Sequence, residues 1–261
     1  MKKNLSKVDY TLIIITVLLI LIAIILGIFV EIKGQSLNPK EELVQNIYKY
    51  LGSNDLNNCQ GLYAYNNKKL MAKDILLEEK ICTAYYNLNE DKIIQMKIDT
   101  TKNSCKISEK INFSNDINDN KICSVTKVLD QDLIKQYKQM FHENMNNIDS
   151  FSLNNNTICY YENNYFYCGN KDEYTIDLND NKEIYRSIKK VYKKNNIITI
   201  YDYFIKKVGE YCYKDQNEVK KMEKCKEQID SNFLINYGTL YKHTFKEIDG
   251  KYYWYSSEVE K

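Results

Sequence analysis

The chain has 261 residues, 44% of them hydrophobic and 28% charged, with 37 basic and 35 acidic side chains. That length holds one or two domains. The near-balance of charge, with no long lysine block, argues against a nucleic-acid partner, which needs a basic excess or stripe.

Residues 11–30, TLIIITVLLILIAIILGIFV, carry no charge. As a helix they are roughly 30 Å long, the thickness of a bilayer core. A cleaved signal peptide also begins with lysines and an apolar run, but its core is shorter, about 7 to 15 residues, and ends in a small-residue site. Here the run ends Gly27-Ile28-Phe29-Val30-Glu31. The reading is an uncleaved anchor over 11–30, preceded by a cytoplasmic tail over 1–10. Lys2, Lys3 and Lys7 stand before the span, against Glu31 and Lys33 after it. Basic flanks stay inside, so the chain is expected to be a single-pass cell-membrane protein with its C-terminal part extracytoplasmic. Residues 31–38 form a short linker without a Pro- or Gly/Ser-rich stalk, which keeps the folded part close to the membrane. Residues 39–261 form the exported domain, as one lobe or as two split near 129.

Three amphipathic helices are predicted next. In NPKEELVQNIYKYLG, Asn38 caps, Pro39 fits the first turn, and Val44, Ile47, Tyr48 and Leu51 form one stripe ended by Gly52. In KDILLEEKICTAYYNL, Leu77, Ile81, Ala84 and Leu88 recur at helical spacing, with Glu78, Glu79 and Lys80 facing away. In DQDLIKQYKQMFHEN the stripe is Ile134, Tyr137 and Phe141. Residues 100–122 read as loop with one strand at most, and the acidic run at 115–121 as a solvated turn rather than a calcium loop, since it lacks the glycine and terminal glutamate at the offsets of an EF-hand.

CYYENNYFYC, residues 159–168, reads as a hairpin turning on Asn163-Asn164, since asparagine tolerates the left-handed backbone of a two-residue type I′ turn. Glu162 then faces Tyr165, Tyr161 faces Phe166, Tyr160 faces Tyr167, and Cys159 faces Cys168 as a non-hydrogen-bonded pair about 4.5 Å apart, close enough for a disulfide. YTIDL, residues 174–178, is expected to be a strand. Asn195-Asn196 and Asp249-Gly250 mark two further hairpins. A fourth helix is expected in DQNEVKKMEKCKEQI, with Val219, Met222, Cys225 and Ile229 on one side. Period 3.6 early and period 2 later predict an α+β fold: a transmembrane helix, then amphipathic helices packed on antiparallel hairpins.

The eight cysteines, Cys59, Cys82, Cys105, Cys123, Cys159, Cys168, Cys212 and Cys225, all follow the span. An even count in an exported domain reads as a disulfide framework. Roughly a hundred connectivities exist; sequential pairing is the simplest. No C-x-x-C spacing suggests zinc, and no metal or cofactor is implied.

Catalytic motifs are not visible. His142 falls at the end of the third helix, where a cation is favoured, and His243 lies on the Phe245 face of a strand; both read as structural. Nothing in the sequence selects two carboxylates as an acid–base pair. In the last hairpin, Tyr241, His243, Phe245, Tyr252 and Trp254 form the expected core side. Lys242, Lys246, Tyr253 and Tyr255 form the expected partner-facing side.

The stretches EEKICTAYYNL and LYKHTFKEIDGKYYWYSSE, together with the N-terminal anchor, resemble a group of single-pass, membrane-anchored ectodomain proteins of AT-rich Gram-positive bacteria. The group implies an extracytoplasmic domain and supplies no activity. The expectation is therefore a non-enzymatic binding or interaction module, attached to the membrane through 11–30, whose partner is an envelope protein or wall polymer. An enzyme acting on wall peptide or glycan, and a structural envelope component, are the alternatives.

Overall fold

The computed structural model describes residues 7–52, 59, 61–64, 68–102, 117–154, 157–170 and 182–260. Side chains are described over the same ranges except 7–13, 28–33, 97–102, 117–124 and 170. The expected strand at 174–178 and the Cys105–Cys123 pairing lie outside these residues.

Helix α1 (Lys7–Lys33) is continuous over 27 residues. Side chains are described in it for residues 14–27, a stretch shorter than a span. Over the described residues no helix is long and apolar enough to cross a membrane. Ile14 through Ile22 and Ile24 through Leu26 are exposed.

The rest is α+β, with two antiparallel sheets and helices against them. The larger sheet has seven strands, β1 (Gln35–Leu37), β2 (Leu70–Met71), β8 (Lys182–Lys194), β9 (Ile197–Val208), β10 (Tyr211–Tyr213), β11 (Thr239–Ile248) and β12 (Lys251–Val259). Its order is β1-β8-β9-β11-β12-β2, with β10 also pairing β9. The smaller sheet has β3 (Ile93–Lys102), β4 (Ile117–Leu129), β5 (Ser150–Ser152), β6 (Thr157–Glu162) and β7 (Tyr165–Asn170) in the order β3-β4-β7-β6-β5. Helix α3 (Leu77–Tyr86) packs on α4 (Asp130–Phe141); α4 also touches β4 and β12, and α3 touches β5. The two helices thus join the sheets. One buried cluster holds Val128, Phe151 and Phe166 of the smaller sheet together with Val191, Ile200, Phe245 and Trp254 of the larger. Residue 129 is the point where β4 passes directly into α4.

The next helix, α2 (Glu42–Tyr48), starts after a turn in which Lys40 N donates to Asn38 Oδ1 and Asn38 N donates to Glu41 Oε1. Asn38 therefore does not cap the helix as expected: the N-cap is Glu41, which makes no side-chain cap bond, and Asn38 and Glu41 close a turn just before it. A 3₁₀ turn, Lys49–Leu51, follows and stops at Gly52, whose φ of +93° favours glycine. Helices α3 and α4 fall where the periodicity placed them, but two faces differ. Lys80, expected outside, is buried and pairs with Glu143 at 2.7 Å. In α4 the stripe rotates: Leu133 and Met140 are buried beside Tyr137 and Phe141, and Ile134 is exposed.

Residues 215–229 are not a helix. Asp215 accepts the backbone N–H groups of Asn217, Val219 and Lys220, offering the backbone an alternative to helical bonding. Tyr213 bridges Lys221, and Cys212 bonds Cys225, which folds the segment back on β10. Val219 is consequently exposed. The helix comes later, as α5 (Ser231–Tyr237), where Asp230 caps by accepting from Phe233 N at 2.7 Å. Residues 93–102 and 117–129, read largely as loop beyond 100, form the β3–β4 pair.

The 159–168 hairpin agrees rung for rung. Cys159 faces Cys168, Tyr160 faces Tyr167, Tyr161 faces Phe166 and Glu162 faces Tyr165, about turn residues Asn163 and Asn164 at φ 50° and 67°. The Cys159–Cys168 bond joins Cα atoms 4.0 Å apart, and Cys59–Cys82 and Cys212–Cys225 follow the sequential pairing. Asn195 and Asp249 also take left-handed φ at their turns.

Candidate functional site: an aromatic cleft beside a buried Asp202 network

On the inner face of the larger sheet, β9 and β11 place Asp202 and His243 diagonally, both fully buried. Asp202 Oδ1 pairs with His243 Nε2 at 3.0 Å. Asp202 Oδ2 accepts from Tyr63 at 2.8 Å and from Tyr48 at 3.1 Å. A buried carboxyl group costs several kcal/mol unless its oxygens are satisfied, and Tyr48, Tyr63 and His243 surround both oxygens here. Burial, then Asp202, pushes the Tyr48 phenol well above its usual range. Burial does the same for Tyr63, against Arg186 and with Asp202. Both phenols therefore stay protonated as donors. Fully buried, the Asp202–His243 pair ties β9 to β11.

Arg186, the chain's one arginine, connects this network to the surface. It donates to the Tyr63 hydroxyl at 3.2 Å and to the Gly52 carbonyl, and its guanidinium lies 4.9 Å from the Tyr48 ring centre. Burial opposes its charge, but Tyr63, Tyr48 and Asp202 outweigh burial and hold it cationic. Arg186 and Tyr48 form one wall of a cleft of about 1050 Å³; Tyr85, Tyr86, Asn87 and Gln95 contribute from α3 and β3. Its residues come from α2, the end of α3, both sheets and the loop after α3, so the cleft exists only in the folded chain. Aromatic faces, amides and a cation together suit a polar ligand with apolar edges. Glu90 and Asp91 also reach it. They are adjacent on a 3₁₀ turn, where successive side chains diverge by roughly 120°.

The four residues expected on the last hairpin's partner face divide. Tyr253 is buried, because the ring of His142, held left-handed at φ 54° after α4, lies 4.4 Å from it. Tyr255 is half-buried with Lys246 Nζ 3.4 Å from its ring centre. Lys242 pairs with Glu258 at 2.8 Å. Phe245 faces Trp254 as expected, but a bulge sets Ser256 opposite Thr244 and leaves Tyr255 as the extra residue. That outer face continues across Tyr201, whose ring lies 4.3 Å from Lys190 Nζ.

The cleft was not anticipated. Its one sequence signal was Arg186, a single guanidinium among many lysines. Comparison with protein-family models, characterised proteins and solved structures finds no match for this chain.

Proposed function

We propose that the protein is a membrane-anchored, extracytoplasmic binding module whose cleft holds a polar envelope ligand, a segment of wall polymer. The cleft carries this reading. The Tyr48 and Tyr86 rings offer aromatic surface, Asn87 and Gln95 offer amide groups, and Arg186 offers a fixed cation for an anionic group. The anchor reading is supported by the continuous helix through Lys33 and by the uncharged run 11–30 within it. The three disulfides among the described residues suit an oxidising compartment. The divergence of Glu90 and Asp91 supports binding over acid–base hydrolysis, which needs two carboxyl groups converging on one bond.

The test uses the detergent-solubilised full chain and isolated wall sacculi. Tyr86→Ala combined with Asn87→Ala should lower retention at least tenfold without lowering the unfolding temperature by more than a few degrees. Unchanged retention would remove the cleft from the reading. Release of soluble wall fragments, abolished by Glu90→Gln with Asp91→Asn, would make it an enzyme.

A further inference from the structure

The connection between α1 and the larger sheet is a single residue. Lys33 ends the helix, and Gln35 already pairs with Lys193 in β8. Gly34 between them has φ +83°, and a Cβ there would meet the Lys193 carbonyl oxygen at 2.8 Å. The eight-residue linker expected at 31–38 is thus absorbed into helix, sheet and turn, and the helix end is held against one end of the sheet whatever the tilt of α1.

That end carries two turns side by side. Asn195-Asn196 joins β8 to β9, Asp249-Gly250 joins β11 to β12, and Glu247 N donates to Asn196 O at 2.7 Å between them. Each turn exposes an isoleucine at its shoulder: Ile197 is 36% and Ile248 38% exposed. Leu43, 41% exposed, shares a cavity wall with Gly250 and Lys251.

We infer that this end of the domain rests on the phospholipid surface, with Ile197 and Ile248 entering the headgroup layer. The inference depends on the anchor reading above. If Val30 marks the edge of the hydrocarbon, three helical residues rise about 4.5 Å into a headgroup layer several ångströms deep. Gly34 and its neighbour Lys193 then stand within that layer. Branched aliphatic side chains gain from this boundary what they lack on an isolated domain. Charge contributes little. Lys193 is paired with Glu247 at 3.9 Å, and the contact, resting on the isoleucines, should persist on zwitterionic lipid.

The experiment places the full chain in phosphatidylcholine vesicles whose acyl chains are brominated. Ile248→Trp and Ile197→Trp probe the two turns, each giving a signal if the other fails to fold. Glu210→Trp probes the far end of β9, whose 12 residues separate the ends by roughly 40 Å at about 3.3 Å per residue. Subtracting the emission of Trp254, the added signal at 248 or 197 should be quenched at least twofold more than at 210. Alkaline carbonate extraction of the same vesicles reads the anchor. Protein retained but equally quenched at both ends overturns the seating and leaves the anchor intact. Protein released by carbonate overturns the anchor reading and the seating with it.

Discussion

The hairpin at 159–168 and the one at 239–259 start from the same sequence logic and end in different physical situations. The first is set by its own rungs: every partner across β6–β7 follows from counting outward from Asn163-Asn164, and a covalent bond closes the fourth pair. The second obeys the same counting near its turn, through Phe245 and Trp254, and then departs at the bulge. Which of its faces is buried depends on residues distant in sequence. Phe141 lies 6.5 Å from Trp254 and His142 4.4 Å from Tyr253 between ring centres, so the end of α4 covers both sides of the strand. Pairing is a local property of the chain, and burial is not.

This contrast can be broken first at Trp254. Trp254→Ala removes a buried indole and should destabilise by about 3–5 kcal/mol, measured by chemical denaturation of the solubilised chain; a loss under about 1 kcal/mol would mean that the hairpin does not depend on its cover. Tyr253→Ala comes next, at about 3 kcal/mol. Tyr255→Ala, half-buried on the bulge, should stay within about 0.5 kcal/mol. Equal losses at Tyr253 and Tyr255 would show that His142 does not cover the former. In the other hairpin, replacing Cys159 and Cys168 by serine should cost about 2–3 kcal/mol, by restoring entropy to the unfolded chain; a loss under about 0.5 kcal/mol would show that the rungs hold without the bond.

The smallest expected effect is electrostatic. Lys242, through its hydrogen bond, lowers the Glu258 carboxyl pKa against the opposing effect of burial, and the same hydrogen bond raises the Lys242 amine. The sign follows for each partner. Glu258's contribution is present above its unfolded value and lost as pH falls through the lower folded one. Lys242's is present below its unfolded value and lost as pH rises through the higher folded one. Both groups are about a third exposed, so the pair is worth less than about 1 kcal/mol. Lys242→Met should flatten both the acid and alkaline limbs of a stability–pH profile; unchanged limbs would show that the pair contributes nothing.

What could be read from the sequence sorts along the same line. Asn163-Asn164, Asn195-Asn196 and Asp249-Gly250 announce their turns because the conformation each needs is carried by those residues alone. The 3.6-residue stripes placed α3 and α4 but not their exact faces, because Lys80 owes its burial to Glu143, many residues away. The 215–229 misreading has a local cause that periodicity cannot register: Asp215 captures three backbone donors and bends the chain before a helix can start. The cleft was illegible because its wall assembles Tyr48, Tyr85 and Arg186 from three separated elements. No short window holds two of those elements.

The larger sheet draws its strands from almost the whole chain after α1. β1 at residues 35–37 borders β8 at 191–193, and β2 at 70–71 borders β12 at 256–257, whereas the smaller sheet draws all its strands from residues 93–170. On the export reading the chain reaches the far side of the membrane N-terminus first, so β1 and β2 wait there as unpaired edges while the smaller sheet, with its shorter loops to close, assembles. The first strands to arrive are then among the last to find partners. A chain ended after residue 180 should already hold the Cys159–Cys168 bond yet leave residues 35–37 open to proteolysis. Protection of that segment in the shortened chain would reverse the order.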